Sequence, residues 1–263
     1  WSSDVCSSDL APAWETLLAN LGAEPVVSPP TNKALLGLGQ QVSLDEVCLP
    51  VKLFLGHAAY LGERCDLLLV PHLVSLEQRA FTCPKFMGLP DLVRQALPGI
   101  KVIVGTVDIR AGLAWGSAVQ ELAAHLGHRG RRVKRAWEQA AAAQAEYEEG
   151  LCAGGIRGEI PLAVLGHPYC LYDRFLNMNL LDRLQAAGCQ AITPEMVPAA
   201  AIEEGLASLP KALFWSFGRR QLGAVNYLLD AGRCRGVIHA TAFACGPEAL
   251  VGELIEREAA RRH

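Results

Sequence analysis

The stretch Arg235–Pro247, RGVIHATAFACGP, running into Glu248–Arg262, EALVGELIEREAARR, holds one whole repeat of an architecture. Val237 and Ile238 are apolar and β-branched, as a buried strand requires, and the run ends at Gly246-Pro247. After the proline, Leu250, Val251, Leu254 and Ile255 recur at helical spacing. A strand passes through a Cys-Gly-Pro turn into a helix.

The same alternation extends towards the N-terminus. Apolar runs that end in Gly, Pro or Ser occur at Glu24–Pro30, Cys65–Ser75, Lys101–Ile109, Pro161–Pro168 and Cys189–Val197, and each reads as a buried parallel strand. Helical spacing marks Trp14–Leu21, Thr31–Leu38, Val51–Leu61, Leu89–Leu97, Tyr172–Ala187 and about Lys211–Asp230. The Ala-, Glu-, Gln- and Arg-rich segment Leu113–Leu151 reads as one long helix, or a pair broken near Gly127 and Gly130. The expected fold class is therefore α/β: two doubly wound parallel-sheet domains of flavodoxin or Rossmann type, joined by a long helical segment. The glycine-rich CAGGIRGE (Cys152–Glu159) sets the boundary, with an N-terminal domain over Ala11–Cys152 and a C-terminal domain over Ala153–His263.

The first ten residues, WSSDVCSSDL, stand outside this scheme. The DNA string TGGAGTTCAGACGTGTGCTCTTCCGATCT, a sequencing adapter, translates to them codon by codon, so Trp1–Leu10 is expected to be a non-native scar and the fragment to be cut at both ends.

Composition limits the function classes. The chain is 51% hydrophobic and 19% charged, as a well-buried globular protein is, and no run of about 18 uncharged apolar residues offers a membrane span. A formal net charge of -3 gives no footprint for nucleic acid. Of the nine cysteines Cys6 goes with the scar, and the other eight, irregularly spaced, read as cytoplasmic thiols and metal ligands, not as a disulfide framework. No phosphate-binding P-loop, dinucleotide-binding glycine motif or Ser-His-Asp signature is present, so ATP hydrolysis, if relevant, is expected to belong to a separate partner or to a fused segment.

Three cysteines share a context: Cys48 in VCLPVK, Cys83 in TCPKF and Cys245 in ACGPE each precede a proline at a helix start. Unpaired N–H groups and the positive end of the helix dipole gather there, and both favour a thiolate. Three such thiolates suit an iron–sulfur cluster with one iron open. The competing readings are three buried free thiols, or zinc, which usually takes closely spaced Cys-x-x-Cys pairs that are absent here. Lys52 and Lys85 follow the first two cysteines and are candidates to screen the cluster's charge. His167, in the turn GHPY (Gly166–Tyr169), is a weak candidate acid or donor, and His57 reads as a satisfied helix histidine. Glu248 reads as an ordinary acidic residue of a first helical turn. The basic run HRGRRVKR (His128–Arg135) reads as a solvated helix face, with a grip on coenzyme A phosphates or on an activase as the sharper alternative.

Six strings carry a family resemblance: SPPTNK (Ser28–Lys33), DEVCLPVKLFLGH (Asp45–His57), CPKFMGLPD (Cys83–Asp91), GHPYCLYDRFLNMNLL (Gly166–Leu181), LPKALFW (Leu209–Trp215) and ACGPEALVGELIER (Ala244–Arg257). In this order, and across Ala11–Arg262, they resemble the activase-related branch of the 2-hydroxyacyl-CoA dehydratase and benzoyl-CoA reductase superfamily. The resemblance implies a [4Fe-4S] or double-cubane cluster ligated by Cys48, Cys83 and Cys245, with Cys170 a conceivable fourth ligand where relatives often carry asparagine. It also implies low-potential electrons from an ATP-dependent activase, an acyl-CoA or other small substrate, a homo- or heterodimer, and a place in anaerobic metabolism. The leading expectation is thus an iron–sulfur reductase or dehydratase component. Two alternatives are a non-catalytic electron-transfer or regulatory module of an activase system, and a metal-free or zinc-stabilised α/β domain.

Overall fold

The computed structural model describes residues 10–154 and 158–262, with the side chains of residues 152–154 excepted. Of the expected scar only Leu10 is among them; Cys6 and residues 155–157 of the CAGGIRGE segment lie outside the described residues. The chain forms two compact units, Trp1–Tyr147 and Glu148–His263.

In the first unit the order is α1 (Ala11–Asn20), α2 (Lys33–Val42), α3 (Leu49–Gly62), β1 (Leu68–Leu69), β2 (His72–Ser75), α4 (Pro84–Met87), α5 (Leu89–Ala96), β3 (Val102–Ile103), β4 (Thr106–Asp108), α6 (Trp115–His125) and α7 (Arg131–Gly154), the last crossing the division between units. The runs at Cys65–Ser75 and Lys101–Ile109 do pair in parallel, but each is split in two. Leu68 pairs with Val102 and His72 with Thr106, both with an offset of 34 residues, so one ladder runs through the gap at Pro71 and Gly105. Backbone bonds from Val70 N to Ile103 O (3.0 Å) and from His72 N to Gly105 O (3.1 Å) carry it across. Pro71 has no N–H to donate, which is why the strand assignment breaks there.

Residues 24–30 form no strand, contrary to expectation. Pro25, Pro29 and Pro30 lack ladder donors, Val26 and Val27 are exposed, and Ser28 is spent on a side-chain contact to α3. Among the described residues the strands of the first unit form two-stranded parallel pairings, smaller than the doubly wound sheet expected. Its core joins Trp14 and Leu17 of α1, with Leu21 just after it, to Leu69, Ile103, Val119, Leu122, Val133 and Ala140. Helices α2 and α3 cross at Gly39 and Gly56; a Cβ at Gly56 would lie 2.0 Å from the Leu35 carbonyl oxygen. The break between α6 and α7 falls at Gly127 and Gly130, both with φ near +75° (76° and 71°). Gly127 N bonds to Ala124 O and His128 N to Ala123 O, a Schellman closure of α6.

The second unit runs β5 (Ile160–Leu165), α8 (Pro168–Leu171), α9 (Leu180–Ala186), β6 (Cys189–Ile192), α10 (Ala199–Leu206), α11 (Ser216–Asp230), β7 (Val237–His239) and α12 (Gly246–Arg262). All pairings are parallel, in the order β6-β5-β7. The first strand thus stands in the middle and the chain departs to either side of it, which makes the carboxyl ends of β5 and β7 a topological switch point. The single helix expected over Tyr172–Ala187 is interrupted: Asp173 Oδ1 accepts the N–H groups of Phe175 (2.8 Å) and Leu176 (3.0 Å), and Met178 and Asn179 take left-handed φ of 53° and 58°. Such side chains offer the backbone an alternative to helix. Helix α10 lies where no element is expected, and its Gly205 packs against Gly223 of α11, with a Cβ there meeting the Gly223 carbonyl oxygen at 2.0 Å. Among the described residues no helix is long and apolar enough to cross a membrane.

Candidate functional site

In the first unit Cys48 and Cys83 occupy equivalent positions, each the N-cap of a helix with proline in its first turn, at φ, ψ of -65°, 154° and -71°, 155°. Cys83 Sγ accepts the N–H of Phe86 at 3.4 Å, as a capping thiol should. Burial nevertheless pushes the Cys83 thiol above its ordinary 9.0; the Phe86 N–H pulls the other way, and the nearby Cys48 sulfur adds to the rise. At Cys83 desolvation therefore outweighs the backbone N–H groups that favour a thiolate. The influence of Cys48 places the two sulfurs in one neighbourhood. The two lysines build the wall beside them, Lys52 Nζ donating to Asp45 O (2.9 Å) and Lys85 Nζ to Glu46 O (3.4 Å). Buried His57 bridges Ser28 Oγ (2.7 Å at Nδ1) and Thr31 Oγ1 (3.0 Å at Nε2), so the SPPT segment is clamped to α3.

Cys245 belongs to the second unit. It precedes α12, with Ala244 before it at φ +63°, and its carbonyl accepts Ala249 N at 3.1 Å. Cys170 is a buried free thiol within α8. All seven cysteines with described side chains are free thiols. Among the described residues no group of three or more His, Cys, Asp or Glu is placed to hold a metal ion. Cys48 and Cys83 supply two of the thiolates that a [4Fe-4S] cube takes.

The second unit carries an ionisable cluster at its switch point. Glu248, in the first turn of α12, is only 1% exposed. Its Oε2 accepts His239 Nε2 (2.7 Å) from the end of β7, and its Oε1 accepts Gln221 Nε2 (2.7 Å) from α11. His167, just after β5, brings Nδ1 to 3.2 Å of the same Oε1, but out of line for a hydrogen bond, so the contact is electrostatic. The His167 ring stacks on Tyr169 and meets Phe217 edge-on, both at 4.9 Å. Burial lowers the His167 pKa below 6.5, against the pull of Glu248. For Glu248 burial favours the neutral acid, yet His239, His167 and Gln221 together outweigh it and hold the carboxyl below 4.5. On the other side of β5, Tyr172 OH donates to Glu195 Oε2 (3.2 Å) and shares a 2.7 Å bond with Thr193 Oγ1, while Arg220 Nε stays 4.0 Å from Glu195 Oε1. Burial dominates there, and Glu195 is pushed above 4.5. One rim thus keeps a readily protonated carboxyl and a firmly ionised one, a separation that suits acid–base work.

The family model described as CoA enzyme activase uncharacterised domain (DUF2229) matches residues 6–197. The chain belongs to that family. A search of curated proteins finds no match.

Membership of the CoA enzyme activase family corrects the leading expectation. The matched domain is an activase domain, not the iron–sulfur dehydratase or reductase component, and the activase-system alternative is the reading that fits. Proline-flanked thiols specify capped helix starts; which member of an electron-transfer pair bears them is not written in that pattern. His167 does sit in a charged, buried cluster, as its strand-end position suggests. Glu248 is more than an acid at a helix start, because it is the shared acceptor of that cluster. His239, Gln221, Glu195, Tyr172 and Arg220 were not singled out from the sequence. The signal for them is positional: His239 and Glu195 each close or follow a strand of the sheet, where α/β folds place polar chemistry.

Proposed function

We propose that this chain is a non-catalytic electron-transfer or regulatory module of a CoA-enzyme activase system, whose partner is an enzyme of acyl-CoA metabolism. The observation that carries the reading is that Cys48 and Cys83 each hold the N-cap position of a helix with proline in its first turn, within a domain of the activase family. As iron–sulfur ligands we propose the cysteines of the sequence pattern, Cys48, Cys83 and Cys245. Support comes from the shared N-cap position of the first two and from the bonds that Lys52 and Lys85 make to the backbone of residues 45 and 46. The free thiols fit a reducing, cytoplasmic setting.

Purification without oxygen, followed by iron and acid-labile sulfide analysis, tests the ligand proposal. Wild type should carry both, and Cys83→Ser should lose them; a colourless wild-type protein with zinc or no metal would sink the cluster. Mixing reduced protein with the acyl-CoA enzyme tests the module itself. Electrons should pass to that enzyme and raise its turnover while the chain alone forms no product. Product formed by the chain alone would overturn the reading.

A further inference from the structure

We infer that the groove between α6 and α7 in the first unit is a binding site for an organic polyphosphate bearing a flat or apolar group, the chemistry of a nucleotide. The groove, about 590 Å³ and open to solvent, is lined by Val119, Ala124, Val133 and Trp137 together with Arg129 and Lys134. That volume lies in the range of small-molecule sites, roughly 300–1,000 Å³. An apolar lining with an aromatic ring accepts a base or a similar ring, and cationic side chains accept phosphate.

The charge distribution argues for an anion. Arg129, Arg131, Arg132, Lys134 and Arg135 crowd the start of a 24-residue helix that has no acidic residue in its first turn. Cations at the positive end of a helix dipole are misplaced unless an anion joins them. The carboxyl end of α6 accounts for His128 and Arg129 beside it, but not for the four cations on α7. Local carboxylates do not neutralise the cluster. Glu138 reaches only Lys134, at 3.9 Å between two exposed side chains, and Glu121 is turned away to accept Thr106 N at 2.8 Å. A second groove of about 480 Å³, edged by Arg131, Arg132 and Arg135, continues the cationic surface around the helix. The whole chain is acidic, with a net charge of -3, so the concentration is local.

Isothermal titration of the full chain with ATP, coenzyme A and inorganic pyrophosphate, at low and at physiological salt, tests the inference and separates nucleoside triphosphate from coenzyme A as the source. ATP or coenzyme A should bind saturably and at least tenfold more tightly than pyrophosphate, with affinity falling as salt rises. Two variants of exposed residues should each weaken binding by roughly tenfold or more, with the circular dichroism spectrum unchanged. Arg129→Glu/Lys134→Glu reverses the charge of the lining, and Gln120→Trp fills the groove without altering charge. Arg94→Glu on α5 should leave binding as in wild type. Equal affinity for pyrophosphate, binding insensitive to Gln120→Trp, no binding of either nucleotide at millimolar concentration, or binding only of an acidic polypeptide such as poly-glutamate would each overturn it. None of these outcomes depends on iron content or electron transfer.

Discussion

Glu248 stays ionised where burial alone would neutralise it, and the sign of its contribution follows. Its folded pKa lies below 4.5, so it adds stability above pH 4.5 that is lost as pH falls through the folded value. His167, held neutral below 6.5, adds to the same slope at higher pH: beneath 6.5 the unfolded chain takes a proton that the folded one refuses. Urea unfolding from pH 8 to pH 3 should show stability declining from about 6.5 downward, with a further fall below 4.5. Glu248→Gln should cost about 2–4 kcal/mol at pH 7, because it strips a buried partner from His239 and His167. A loss within 0.5 kcal/mol would mean that the cluster does not hold the unit together. Glu195 works in the opposite sense. Its folded pKa is raised, so stability declines as pH rises from 4.5 through the folded value. Glu195→Gln should remove that decline and leave the protein at least as stable as wild type at pH 7; a variant clearly weaker at pH 7 would show that the carboxylate is a structural necessity.

At the scale of elements, the glycine crossings make the sharpest prediction. Gly56→Ala sets a methyl 2.0 Å from the Leu35 carbonyl oxygen, and backbone of α2 must move to admit it. The expected loss is about 2–4 kcal/mol in chemical denaturation, and a change under 0.5 kcal/mol would show that the two helices are free to separate. Elements whose periodicity and stop signals agree were legible: α5 begins at Leu89, and α6 and α7 part at the two glycines named for the break. What misled was apolar content without donors. The residues 24–30 read as a strand from valines flanked by prolines, yet those prolines leave too few N–H groups for a ladder. In residues 172–187 the apolar period was sound, but Asp173 took backbone N–H groups for itself, a competition that hydrophobic spacing does not register.

At the scale of the whole molecule, each compact unit buries a core of its own, one around Trp14 and Leu122 and another around Leu165, Leu222 and Val225. Calorimetry should therefore resolve two unfolding transitions, with Gly56→Ala lowering one and Glu248→Gln the other. A single transition moved by both variants would show that the units unfold as one. The alternation of strand and helix was enough to place this chain in the α/β class, and proline within two residues of cysteine was enough to find the helix N-caps at Cys48 and Cys83. The ionisable rim of the second unit was not legible, because Glu195, His239 and Gln221 are scattered along the chain and only the order β6-β5-β7 gathers them.

The left-handed Ala244 sets the tempo of the segment beside it. An L-residue other than glycine gives up roughly 1–2 kcal/mol in that region, and next to it Phe243 stands 89% exposed with little to anchor it. Deuterium uptake at the amides of residues 242–245 should consequently run well ahead of uptake in β7. Ala244→Gly, by removing the conformational penalty, should slow that exchange severalfold and turn a restless hinge before Cys245 into a settled one.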